Sequence, residues 1–405
     1  MKRVLFVTYG GGHVNALLPV IQELNRHRPG VETHVLGLTT AAAVLREAGV
    51  PFLGFKDVLR ADDHAAIKYG RKLAADMAPG QVDAAESVAY LGLSYADLVA
   101  QRGEEGARAA YADKGRMAFL PITALERIFD RVRPDLVVST NSPRGERAAM
   151  VLARRRGIPS ICVCDLWLGF ELEWLAAPDY ADRLLVMNDF VRQKLIDAGR
   201  SPDVVVTTGN PAFDRLVEPR WQEQGARIRE ELGTGTRQLV LWMSHTMPWA
   251  PEIRTRIART LVEAAGRHPE WHLVLRAHPS EPPLDFELPA HVGVSDPRTQ
   301  PAPAALRACD AGVTMMSTMG LEAVMLGIPM VTTHIVPERR PSYIDLDYEN
   351  FLRNMQFAEL ATDYAGIEPA IERALESRTD HRHRLPAVGG ATAAVVGQIV
   401  KFLDA

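Results

Sequence analysis

A chain of 405 residues, 47% hydrophobic and 24% charged, has ordinary globular composition and room for two domains, or three, which excludes disordered and fibrous classes. With 46 Lys and Arg against 50 Asp and Glu, the net charge of −4 argues against a chain whose main work is gripping a nucleic-acid backbone. Three cysteines (Cys162, Cys164 and Cys309) are too few for a disulfide framework, and no run of about 18 apolar residues reads as a membrane span.

The first predicted element is a strand, Val4 to Thr8. It opens the chain without the charged, apolar and small-residue layout of a signal peptide, so a cytoplasmic protein is expected, with membrane contact at most peripheral. A helix follows from Val14 to His27, then a strand from Thr33 to Gly37 and a helix from Thr40 to Ala48. Residues 56–130 break this rhythm. They are rich in Ala, Asp, Glu and Arg and read as a helical insertion, which either shapes a substrate cleft or merely presents solvent-facing helices.

The rhythm resumes with strands at Leu136 to Ser139, Ser160 to Cys164, Leu184 to Met187 and Val204 to Thr207, and a helix at Gly145 to Arg156. Continuous apolar strands alternating with helices predict a parallel, doubly wound sheet over residues 1–215. Cys162 and Cys164 are expected on opposite faces of their strand, as small buried residues rather than metal ligands. Glu218 to Thr236 reads as a linker with a short helix.

Further strands are predicted at Gln238 to Met243, His272 to Arg276, Val292 to Val294, Ala311 to Met315 and Met330 to Thr333, with helices at Arg254 to His268 and Gly320 to Leu326. They make a second α/β domain over 216–390, followed by a terminal helix at 391–405. No internal repeat is evident. The expected fold class is α/β, with two Rossmann-like doubly wound domains facing across a cleft. In open parallel sheets ligands sit beyond the carboxyl ends of the strands, so the strand-to-helix loops are where chemistry is expected.

The first such loop is Tyr9-Gly-Gly-Gly-His13. Its glycines Gly11 and Gly12 allow a ligand close to a helix N-terminus, and His13 is either a general base or anion ligand, or a histidine satisfied by a tight turn. It is neither a Walker A motif nor a dinucleotide fingerprint, since Asn15 stands where the last glycine belongs. Thr314-Met-Met-Ser-Thr-Met-Gly320 offers Ser317, Thr318 and Gly320 at a helix start that suits a phosphate. Glu322 there either complements the helix dipole or accepts from sugar hydroxyls.

Arg276 and His278, two apart at a strand end, are read as pointing the same way toward an anion, against an Arg paired with a carboxylate and a surface His. Ser244, His245 and Thr246 are weaker phosphate contacts. Thr207 to Asp214 reads first as a hinge-setting turn. Asp165 closes a strand and is a second candidate base, and Asn141 and Arg144 form a polar cluster suited to an anionic acceptor. The polar tract Arg378 to Arg384 reads as a solvated loop. No G-x-S-x-G elbow, zinc spacing or Asp-x-Asp metal motif occurs.

Together these loops resemble the GT-B fold of nucleotide-sugar-dependent glycosyltransferases over most of the chain outside the insertion. The first loop is similar to that of the MurG-like transferases. Arg276-Ala-His-Pro279 and Asp310 to Pro329 are similar to capsule and surface-polysaccharide enzymes, among them bacterial sialyltransferases, Kdo transferases and CDP-glycerol glycerophosphotransferases. That resemblance implies His278, Ser317 and Thr318 as donor ligands and Glu322 near the ribose. Ser244 to Pro248 departs from MurG-like enzymes in lacking a glycine-rich donor loop. Thr208 to Asp214 and Pro337 to Pro341 look similar to the UDP-GlcNAc 2-epimerases, which share the fold, with Asp165 and Glu171 as the approximate counterparts of their acidic cluster.

The expectation is a metal-independent glycosyltransferase of surface-glycan or natural-product biosynthesis, with a nucleotide-sugar as substrate, no cofactor and no nucleic-acid partner. Its donor would lie at Ser244, His245, Arg276, His278, Ser317, Thr318, Gly320 and Glu322. A glycan, lipid-linked or small-molecule acceptor would lie at Gly11, Gly12, Asn141 and Arg144, with His13 or Asp165 as base. A 2-epimerase-like enzyme and a non-catalytic nucleotide-sugar-binding protein are the alternatives.

Overall fold

A computed structural model describes residues 1–75, 82–165, 167–245, 250–336 and 350–404. Six short apolar segments, β1 (Lys2–Thr8), β2 (Val31–Gly37), β3 (Leu136–Ser139), β4 (Ser160–Val163), β5 (Arg183–Val186) and β6 (Val205–Thr207), form one sheet. All its pairs are parallel and its order is β2-β1-β3-β4-β5-β6. Leu136 to Ser139 and Ser160 to Val163 are buried along their whole length, as expected of strands covered on both faces.

The second sheet holds β7 (Gln238–Met243), β8 (Trp271–Arg276), β9 (Gly293–Val294), β10 (Ala311–Thr314), β11 (Met330–Thr333) and β12 (Glu359–Ala361). It is again all parallel, in the order β12-β11-β10-β7-β8-β9. Each sheet therefore reverses its winding beside its first strand, between β1 and β3 and between β7 and β10. Those two points are where a doubly wound sheet leaves a ligand crevice. The three-residue β12 was not read from the sequence, because only one of its positions is buried.

The chain forms two compact units, Met1–Asp214 with Gly389–Ala405, and Arg215–Val388. The terminal helix Ala391–Asp404 belongs to the first. Its Val395, Ile399 and Leu403 share a core with Val4, Phe6, Leu17 and Ile21. Asp214 holds the start of that helix, accepting from the backbone N–H groups of Gly389, Ala391 and Thr392 at 3.0, 3.2 and 2.7 Å. The segment expected to act as a hinge-setting turn thus ends in a helix cap. The second unit has its own core of Val240, Trp242, Leu261, Leu273, Val313 and Val331.

The insertion is helical as expected, with helices His64–Ala74, Ala84–Lys114 and Ile122–Val132. The long one breaks at Gly103, where φ is 70°. Small residues let the first two helices touch. A Cβ on Gly70 would meet the carbonyl of Val88, and one on Gly92 the carbonyl of Ala66. Gly92→Ala is expected to destabilise the protein by about 1–3 kcal/mol through overpacking, read as a lower urea midpoint. An unchanged midpoint would mean that the helices part at no cost.

Two expectations are corrected. Cys162 and Cys164 do not face opposite sides. Both are buried and neighbour each other, because alternate strand positions share a face, and the Cys162 thiol donates to the Thr140 carbonyl at 3.4 Å. Arg378 to Arg384 is not wholly a loop, since Arg382–Arg384 forms a single 3-10 turn, with Arg382 paired to Asp380. Thr246 and the segment Pro337 to Pro341 lie outside the described residues.

Candidate active site

At the reversal point of the first sheet, the loops after β1 and β3 meet. Gly11 stands at φ 68° with open space where a Cβ would sit, a conformation that favours glycine, and it starts the helix Gly12–His27. That brings His13 over the end of β3, with its Nδ1 2.7 Å from Thr140 Oγ1. Thr140 in turn donates to Glu146 Oε2 at 2.5 Å. Glu146 also accepts from the backbone N–H groups of Tyr9 and Ser142, each at 2.8 Å, and is fully buried.

Three donors converging on one carboxyl are what an ionised carboxylate accepts. A hydroxyl has a single proton. With that proton given to Glu146, Thr140 Oγ1 can only accept from His13, so His13 carries its proton on Nδ1. Nε2 then holds the free lone pair, and it has no hydrogen-bond partner among the described residues. The imidazole is about one quarter exposed.

Burial pulls the His13 pKa down, Glu146 and Asp165 push it up, and the balance lies above the ordinary histidine value. Asp165 Oδ2 lies 3.6 Å from Nδ1, and its own backbone N–H is held by Asn141 Oδ1 at 3.0 Å. Asn210 donates to the Asp165 carbonyl. A Cβ on Gly12 would come within 3.1 Å of the same Asp165 oxygen, so this glycine makes room for the carboxylate. Glu171 adds negative potential at His13, and its pKa is raised by burial and by Asp165. Arg144 lies over the Tyr9 ring, 4.3 Å from its centre. Of the residues read as acceptor-side, His13, Gly11, Gly12, Asn141 and Asp165 therefore come together, with Arg144 one layer behind on Tyr9.

Sequence reasoning missed Thr140 and Glu146. The available signal was their position: a hydroxyl just past a strand end, and a carboxylate in the first turn of the following helix, Gly145–Arg156.

In the second unit, the end of β7 and the end of β10 are joined by Thr314 Oγ1, which donates to the Met243 carbonyl at 2.7 Å. Ser317 caps the helix Thr318–Met325, accepting from Met319 N–H at 3.3 Å. Ser244 donates to Glu281 at 3.0 Å, and Glu281 pairs with Arg254 at 3.2 Å. Arg254 and Glu281 were not singled out in the sequence, and one buried nitrogen of Arg254, Nη2, has no hydrogen-bond partner among the described residues. Burial depresses the His245 pKa.

Glu322 is buried. Its Oε1 lies 3.2 Å from Arg215, and its Oε2 has no hydrogen-bond partner among the described residues. Burial raises its pKa against the pull of Arg215 and Arg276. Gly320 sits tightly against its neighbours, since a Cβ there would meet Leu352 and Thr314, so packing is sufficient to account for a glycine at this position. The reading of Arg276 and His278 as one anion site is also corrected. Arg276 is buried and donates to Ser295 at 2.7 Å. His278 lies beyond the strand end and is exposed, its Nδ1 accepting from Ser280 N–H at 3.2 Å, so the two-residue alternation of the strand does not reach it. Among the described residues, no cluster of three or more His, Cys, Asp or Glu is placed to hold a metal ion, and no helix is long and apolar enough to cross a membrane.

Solved structures share this architecture end to end. The UDP-GlcNAc 2-epimerase of Neisseria meningitidis, bound to UDP-GlcNAc, aligns over 99% of this chain and 100% of its own at 14% identity, with a TM-score of 0.61. The glycosyltransferase of kitacinnamycin aligns over 99% and 98% at 17% identity, with a TM-score of 0.60. SnogD, a glycosyltransferase of Streptomyces nogalater, aligns over 99% of each chain at 17% identity, with a TM-score of 0.54. The fold is GT-B. No protein-family model matches the sequence, and no match to it was found among curated proteins. Within the GT-B fold, the first unit is the Rossmann-like domain that carries the His13 constellation, and the second is the one that carries Ser317 and Glu322.

Proposed function

We propose that this protein is a glycosyltransferase that moves a sugar from a nucleotide-sugar to an acceptor hydroxyl, in surface-glycan or natural-product assembly. The observation that carries the reading is the His13 relay. A histidine whose Nδ1–H is tied through Thr140 to a buried carboxylate keeps Nε2 as a base and gains a stabilised imidazolium when that base is used. Nε2 takes the acceptor's proton while the acceptor oxygen bonds the anomeric carbon. The bond from that carbon to the nucleotide's phosphate oxygen breaks, and the nucleotide leaves with the electron pair.

On the second unit, the N-terminus capped by Ser317, with Thr318 beside it, supplies N–H groups for the departing phosphate charge. Ser244, His245 and His278 are assigned to the same donor. The unpartnered oxygen of Glu322 is assigned to a ribose hydroxyl. Screening UDP, CDP, CMP, GDP and dTDP and their sugars for a rise in melting temperature tests this, because a ligand that binds only the folded state raises the midpoint. Glu322→Ala should weaken the responding nucleotide about tenfold or more, the worth of a hydrogen bond to a charged group. Unaltered affinity would remove Glu322 from the site. With charge carried by helix N–H groups rather than a cation, EDTA should leave turnover unchanged, and loss restored by magnesium would reverse that reading.

A second reading, an enzyme resembling the UDP-GlcNAc 2-epimerases, is favoured by Asp165 and Glu171 crowding the same imidazole. Such an enzyme needs no acceptor. Conversion of UDP-GlcNAc incubated alone, followed by proton NMR, would establish it over the transferase. A nucleotide shift with no turnover in either assay would point to a binding protein.

A further inference from the structure

The helical insertion contains a cavity of about 510 Å³ that the proposed reaction does not use. Its walls come from helices His64–Ala74 and Ala84–Lys114. Leu73, Val99 and the rings of Tyr69 and Tyr95, whose centres are 5.0 Å apart, form an apolar body. Lys68 and Lys72, one helical turn apart, line the same cavity.

The charges there are unequally spent. Glu104 accepts from the Tyr69 hydroxyl at 3.4 Å, and Glu105 pairs with Arg108 at 3.5 Å. Neither lysine has a hydrogen-bond or ion-pair partner among the described residues. A volume within the range of small-molecule sites, aromatic walls and two unspent ammonium groups together specify an amphipathic anion.

We propose that this cavity is a second ligand site, which takes an anionic amphiphile: an apolar ring system or short chain bearing one carboxylate, sulfate or phosphate. The body of the ligand lies against Tyr69 and Tyr95, and its head lies between Lys68 and Lys72. Tyr95 packs on Tyr111 at 5.6 Å, Tyr111 on Phe119 at 5.4 Å, Phe119 on Tyr90 at 6.2 Å and Tyr90 on Tyr9 at 6.2 Å, so the wall is backed by aromatic packing that reaches the His13 loop. The site stands apart from the proposed reaction and holds whichever reaction the enzyme performs.

The test titrates the full chain with 1-anilinonaphthalene-8-sulfonate and, separately, with the uncharged N-phenyl-1-naphthylamine, each with and without saturating UDP. Saturable 1:1 binding of the sulfonate is expected, unaffected by UDP. The double variant K68E/K72E, which changes two exposed side chains, should weaken the sulfonate about tenfold or more and leave the uncharged dye unchanged. Tyr95→Ala should weaken both. Sulfonate binding that UDP displaces, or that K68E/K72E leaves intact, would overturn the proposal.

Discussion

Replacing His13 with alanine should lower turnover roughly a hundred- to ten-thousand-fold, the usual worth of a positioned general base, and leave the nucleotide-induced rise in melting temperature unchanged. The separation follows from where the residues lie. His13 belongs to the first unit, whereas Ser317 and Glu322, assigned to the nucleotide, belong to the second. The fold should survive the change, because His13 is partly exposed and its hydrogen-bond partner Thr140 stays tied to Glu146. The measurement is a rate of nucleotide release beside a nucleotide titration of the same variant. Full activity in His13→Ala would move the role to Asp165, which lies 3.6 Å from the imidazole. Asp165→Asn is the matching control. If His13 is the base, that change lowers the local negative potential and slows the reaction less than the loss of the imidazole does.

The strands were legible for a simple reason. Buried parallel strands must be apolar on both faces, so Leu136 to Ser139 and Met330 to Thr333 stand out as unbroken runs between helices. The edge strand β12, exposed at Leu360, leaves no such trace. The glycine loop was legible because Gly11 needs its positive φ, and His13 because it follows directly. What supports His13 was not legible. Thr140 and Glu146 lie 127 and 133 positions further along, and only the pairing of β1 with β3 brings them to it.

Spacing misled at Arg276 and His278, because β8 ends at Arg276 and the strand's alternation stops with it. Gly320 was ambiguous for a different reason. A glycine required for ligand approach and one required for packing look alike until the neighbours, here Leu352 and Thr314, are placed.

Glu146→Gln asks whether the buried carboxylate sets the base, and its sign can be worked out beforehand. Glu146 and Asp165 hold the His13 pKa above the ordinary value against burial. Removing one of the two charges lowers it, so the acid limb of kcat/KM, which reports the free enzyme's base, should move to lower pH. The plateau should fall as well, because a weaker base takes the acceptor's proton less readily.

Stability moves in step. A histidine whose folded pKa is raised adds stability that is fully present below the unfolded pKa and is lost as pH rises through the folded one. Glu146→Gln should therefore narrow the stability difference between acid and neutral pH. The amide has one oxygen where the carboxylate used two. Bonding Thr140 and Ser142 with that oxygen turns its NH2 toward the Tyr9 N–H, at a cost of about 1–3 kcal/mol at all pH values. That pH-independent loss separates the structural part of the effect from the electrostatic part. A variant that melts lower and keeps the wild-type acid limb would show that Glu146 only ties the Tyr9 and Ser142 loops together. A shifted limb would show that it tunes His13.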